Sequence, residues 1–146
     1  MNKIFIGSDH AGYDLKRQIL ELDFDGLEFE DLGTHSTDTV DYPVIAHKVA
    51  SEVNKDRRHG RGLLVCGSGI GVCMVANRYP NIRAVLCRDE NTAYLARAHN
   101  NANILCMAGR SQDLYGAICT IKMFYSAQFE AGRHVARLLQ YNNVIK

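Results

Sequence analysis

The stretch Leu63-Leu64-Val65-Cys66-Gly67-Ser68-Gly69-Ile70-Gly71 constrains the fold more than any other part of the chain. Its apolar opening reads as a buried strand. It ends in a thiol and then breaks into three glycines, Gly67, Gly69 and Gly71. Residues 72–79 follow as a helix. A strand that turns through glycines into a helix lets backbone N–H groups converge on an anion, and the helix dipole favours negative charge there. Cys66 at the strand end faces the same electropositive spot, which favours its thiolate and suits it to act as a base or nucleophile. The turn is therefore expected to hold an oxyanion, with Cys66 moving a proton or attacking beside it.

The flanking chain alternates in period. Strands are expected over residues 3–7, 27–32, 63–66, 83–87 and 103–108. Between them lie helical patterns: residues 13–22 with Leu15, Ile19, Leu20 and Leu22, and a helix opened by Tyr42-Pro43 with Val44, Ile45, Val49 and Val53. Pro43 suits a first helical turn. Another helix starts at Asp89 or Glu90, a long one spans 113–129, and the tail over 131–141 reads as one more. Such alternation predicts an α/β fold: one domain over 1–146, a doubly wound, five-stranded parallel sheet in a Rossmann- or flavodoxin-like three-layer sandwich, with an extra C-terminal helix. Sites on such sheets lie beyond the carboxyl ends of the strands. Asp9-His10, the Cys66 turn and Gly109-Arg110 all follow strands and obey that rule. His99-Asn100 instead precedes the fifth strand. It is expected at the opposite edge, where it would serve a neighbouring subunit's site, unless the helix boundary lies elsewhere.

Composition removes several classes. A net charge of +1 gives no case for nucleic acid. No stretch approaches the roughly 20 apolar residues of a membrane span. The N-terminal apolar run is too short for a signal peptide, so a cytoplasmic protein is expected. The five cysteines, Cys66, Cys73, Cys87, Cys106 and Cys119, are odd in number and include no C-x-x-C pair. Neither a disulfide framework nor a metal site is expected, and the four besides Cys66 sit in apolar runs as buried thiols.

Each polar cluster has a plain reading beside the chemical one. The glycine turn could bind a dinucleotide, but its G-x-G-x-G spacing after the third strand departs from G-x-G-x-x-G after the first. A phosphatase loop needs an arginine six residues after its cysteine, and here Val72 stands there. The turn could also be a tight bend beside a buried thiol. Asp9-His10 is either an acid–base pair or a helix cap. Arg133 and Arg137, four apart, form either a clamp for phosphate or a solvated face, with His134 pointing elsewhere. His99-Asn100 is either a proton shuttle or a turn. Taken together, these groups fit proton transfer beside the carbonyl of a phosphorylated sugar, through an enediolate.

The chain also resembles a known family. Gly7-Ser8-Asp9-His10-Ala11-Gly12, Asp41-Tyr42-Pro43, Cys66 to Gly71, Ala76-Asn77, Ile82-Arg83-Ala84, His99-Asn100, Ala102-Asn103, Gly109-Arg110, and Gly132-Arg133-His134 with Arg137 are similar to the B-type ribose-5-phosphate isomerases. That family also contains the galactose-6-phosphate isomerase subunits. The resemblance implies interconversion of ribose 5-phosphate and ribulose 5-phosphate without metal or organic cofactor. It implies Cys66 as the base, Ser68 as the hydroxyl moving a proton between sugar oxygens, and His99 opening the furanose ring with Asp9 as polar partner. It makes Gly67, Gly69, Ile70 and Gly71 the anion hole, and gives Tyr42 and Asn100 to the sugar. His10, Arg110, Arg133 and Arg137 go to the phosphate. It further implies a homodimer or homotetramer with sites built from two chains. One branch of the family has glutamate as base where this chain has Val72, so the resemblance is to the cysteine branch. All the motifs lie on one chain, which favours a homomeric enzyme. Six-carbon sugar phosphates and a non-catalytic phosphate-binding module are the alternatives.

Overall fold

Every residue of Gly62–Cys66 and of Ile104–Ala108 is buried, as strands covered on both faces must be. In the computed structural model, which describes residues 2–145, these two strands pair in parallel at the centre of one sheet. Met1 and Lys146, the ends of the expected 1–146 domain, lie outside the described residues. The strands are β1 (Asn2–Ser8), β2 (Leu27–Asp31), β3 (Gly62–Cys66), β4 (Ala84–Leu86) and β5 (Ile104–Ala108). They are ordered β2-β1-β3-β5-β4. The helices are α1 (Tyr13–Leu20), α2 (Tyr42–Lys55), α3 (Ile70–Ala76), α4 (Glu90–Ala98), α5 (Leu114–Ser126) and α6 (Arg133–Leu138).

Strand alternation divides the core in two. Leu63 and Val65 of β3, with Leu105 and Met107 of β5, pack among Leu15 and Ile19 of α1, Ala93 and Ala96 of α4 and Ile121 and Phe124 of α5. Leu64 and Cys66, with Ile104 and Cys106, pack among Ile45, Val49 and Val53 of α2 and Val72 and Ala76 of α3. The three-layer, doubly wound arrangement read from the sequence is the one observed. The direction of strand addition reverses between β1 and β3, so the crevice at their carboxyl ends is the natural ligand position.

Several element ends differ from expectation. α1 stops at Leu20, which leaves Leu22 38% exposed. α3 begins at Ile70, ahead of Val72, because the left-handed Gly69 turns the chain straight into the helix. α5 ends at Ser126 instead of 129, since Ala127 is already extended. α6 covers only Arg133–Leu138. No described helix is long and apolar enough to cross a membrane.

Candidate active site

The turn after β3 is shaped by one backbone conformation. Gly69 has φ 74°, ψ −7°. A Cβ there would lie 2.6 Å from Leu86 Cδ1 and 2.8 Å from the Met107 carbonyl carbon, so only glycine fits. This bend carries the Gly69 N–H back onto Cys66, where it donates to Sγ at 3.2 Å. The Ile70 N–H donates to Ser68 Oγ at 3.3 Å. Two of the four residues expected to form an anion hole thus aim their amides at side chains of the turn. Gly67 and Gly71 form the wall of the cavity itself.

That cavity measures about 280 Å³ and opens in front of Cys66, which is 4% exposed. Asp9, His10, Ala11, Tyr42, Ser68 and Arg110 complete its lining. The Tyr42 ring lies so close over Gly71 that a Cβ there would be 2.6 Å from Cε2. Arg110 lies similarly against Gly67, with Nη1 3.0 Å from where a Cβ would stand. Asp9 Oδ1 accepts from the Gly12 N–H at 3.0 Å, capping the short 3-10 turn His10–Gly12, and the residue also lines the cavity. His10 Nδ1 lies 3.2 Å from the Val40 nitrogen and 3.3 Å from the Val40 carbonyl oxygen, so the Val40 backbone takes up that side of the ring.

The remaining expected residues form a second group, and none of them lines this cavity. His99 follows the last residue of α4, and its ring stacks on His134 with centroids 4.3 Å apart. Asn100 Nδ2 donates to the Tyr141 hydroxyl at 2.7 Å. Arg133 and Arg137 stand exposed on α6 to either side of the buried His134. Burial lowers the pKa of the His134 imidazole, and His99, Arg133 and Arg137 add to that effect. His134 points away from the two exposed arginines, as read from the sequence, and its buried ring covers His99. One chain holds the thiol half of the expected site and, separately, the imidazole and arginine half.

The other thiols divide unevenly. Cys87 and Cys106 are buried as expected, while Cys73 and Cys119 are half-buried. Burial pushes the Cys87 thiol up to about 12 and raises Cys106 as well. His99, Glu130 and His134 bring three metal-type donors within 4.8 Å of one another. Their two rings lie nearly parallel, 18° apart, so the in-plane lone pairs run side by side and do not converge as zinc requires. A larger opening of about 420 Å³ is lined by Asn2, Phe24, Asp25, Gly26, Leu27, Lys122, Tyr125 and Ser126. It sits at the amino ends of β1 and β2 and has no nucleophile beside an acid–base pair.

A parallel sheet with a thiol, a carboxylate, an imidazole and a guanidinium around a glycine turn at its reversal point defines a small α/β enzyme acting on an anionic substrate. The model of the Ribose/Galactose Isomerase family matches residues 4–140, and the chain belongs to that family. It is 40% identical over 139 residues to ribose-5-phosphate isomerase B of Escherichia coli K12, covering 94% of this chain and 93% of that one. The ribose-5-phosphate isomerase B structure from Clostridium thermocellum superposes with a TM-score of 0.91 at 42% identity, covering 97% of this chain and 95% of that one. The Mycoplasma genitalium enzyme, solved with bound ribulose-5-phosphate, superposes with a TM-score of 0.89 at 41% identity, covering 94% and 92%.

Proposed function

We propose that this isomerase interconverts D-ribose 5-phosphate and D-ribulose 5-phosphate, a step of the pentose phosphate pathway, as a single catalytic domain in the cytoplasm, without metal or organic cofactor. The Cys66 thiolate takes the proton from C2 of the open-chain aldose and returns it to C1. Between those events the sugar is a cis-enediolate. Its oxygens are held at the turn 67–71, where the Gly69 and Ile70 amides swing from Cys66 Sγ and Ser68 Oγ to the enediolate as it forms, and Ser68 moves a proton between O1 and O2. The observation that carries this reading is the placement of Cys66 Sγ at the wall of a cavity also lined by Asp9, His10, Ser68 and Arg110, with the Gly69 N–H donating to the sulfur at 3.2 Å.

His99, with Asp9, opens the furanose ring. Tyr42 and Asn100 contact the sugar hydroxyls. His10, Arg110, Arg133 and Arg137 bind the phosphate. The chain works as a homodimer or homotetramer in which His99, Asn100, Arg133 and Arg137 of one copy complete the Cys66 cavity of the next. Their separation from the cavity within one chain supports this arrangement.

A coupled assay with ribose 5-phosphate, allose 6-phosphate and galactose 6-phosphate tests the reading when run beside Cys66→Ala. Ribose 5-phosphate should give the highest kcat/KM. Cys66→Ala should still bind it while losing about 10²–10⁴-fold in kcat, the range for removing a positioned base. Undiminished turnover in that variant, or release of inorganic phosphate from the sugar, would contradict it.

A further inference from the structure

We infer that Glu130 is a positioning residue for the ring-opening histidine, acting on His99 through Nε2; this rests on the role given to His99 above. Glu130 lies in the connection from α5 to α6, and its N–H donates to the Ala98 carbonyl at 3.0 Å. That bond ties the connection to the end of α4, next to His99. Tyr94, earlier on α4, donates its hydroxyl to Glu130 Oε1 at 2.7 Å. With one oxygen so fixed, the other faces two imidazoles. Oε2 stands 3.7 Å from His99 Nε2 and 3.9 Å from His134 Nε2, both within ion-pair range. All four side chains belong to one chain, so the arrangement is complete whatever the assembly.

The geometry has two chemical consequences. At 3.7 Å the carboxylate is too far for a hydrogen bond, but its charge attracts an N–H at Nε2, which leaves Nδ1 as the nitrogen to exchange with substrate. Nδ1 has no hydrogen-bond partner among the described residues. The carboxylate also stabilises the imidazolium that ring opening requires. His134 is buried against His99 and flanked by Arg133 and Arg137, which lowers its own pKa and makes it the poorer partner for the carboxylate. In the step itself the C1–O4 bond breaks, and O4 keeps the electron pair and takes the Nδ1 proton. The O1–H pair forms the C1=O1 bond, and that proton passes to the Asp9 carboxylate. Glu130 exchanges nothing, and Tyr94 determines which of its oxygens faces the rings.

The test compares two substrates. Ribose 5-phosphate must be opened, whereas its analogue lacking the C4 hydroxyl cannot close a ring and enters the reaction already open. In the full-length enzyme Glu130→Gln keeps shape and removes charge. It should lower kcat on ribose 5-phosphate at least about tenfold, with KM little changed, and stay within about twofold on the analogue. Tyr94→Phe, which leaves Glu130 in place but free to turn, should show a smaller loss with the same split. Equal losses on both substrates, or none on either, would overturn the assignment. His99→Asn serves as the reference: its loss on ribose 5-phosphate should exceed its loss on the analogue. If His99→Asn loses equally on both, the ring-opening role itself fails. If only Glu130→Gln does, that role stands and the role of Glu130 falls.

Discussion

At the scale of single residues, Cys66 differs from the buried thiols Cys87 and Cys106 by one opening. It packs with the α2 and α3 core like any buried cysteine, yet its sulfur receives the Gly69 amide and meets a cavity. Cys87 and Cys106 have no such amide, and at about 12 the Cys87 thiol stays neutral near pH 8. Iodoacetamide at pH 8 should therefore abolish activity in step with modification of Cys66, while Cys87 and Cys106 stay unlabelled in peptide mass maps. Inactivation without label on Cys66 would count against it as base. Arg137→Ala should raise KM about 10- to 150-fold with kcat nearly unchanged, because a charge-assisted phosphate contact is worth roughly 1.5–3 kcal/mol. An unchanged KM would remove Arg137 from the phosphate site. The thiol and its glycines were legible in the sequence because they act within one turn. Glu130 and His134 were not, because their meaning comes from packing against α4, far off in sequence. Lys16 was equally hidden. It sits fully buried on an otherwise ordinary helix because it reaches Asp31 at 2.7 Å, a partner on another element.

At the scale of elements, strands were easier to place than helix ends. β3 and β5 announce themselves as continuous apolar runs, since both of their faces are covered. Helix ends depend on single backbone states that composition does not display. Gly69 at φ 74° starts α3 two residues early, and the extended Ala127 stops α5 three residues short of 129. The same glycine links stability to chemistry. Gly69→Ala adds about 1–2 kcal/mol of left-handed strain before any clash with Leu86 and Met107 is counted. Calorimetry should show a Tm lower by several degrees. The kcat should fall as well, because the amide leaves Cys66 Sγ. A variant with wild-type Tm and kcat would show that the turn does not need its left-handed residue.

At the scale of the whole molecule, the sheet dictates a division. Groups that follow β1, β3 and β5 gather at the carboxyl ends, which is how Asp9, His10, Cys66, Ser68 and Arg110 come to share a cavity. His99 precedes β5, so the chain itself carries it away from them. This separation was legible in the sequence, from the place of His99 just before the fifth strand. What remained hidden was its company, because α6 stacks His134 on His99 through a contact no local pattern encodes. Two half-sites on one chain make sense when copies pair through a symmetric interface, each supplying what the other lacks. Co-expression of Cys66→Ala with His99→Asn, each inactive alone, measures this directly. Random pairing into dimers leaves one intact site in half of them, so the mixture should recover about a quarter of wild-type kcat. No recovery from mixed dimers verified by mass spectrometry would mean that thiol and imidazole serve the same site from one chain, and the shared site would be ruled out.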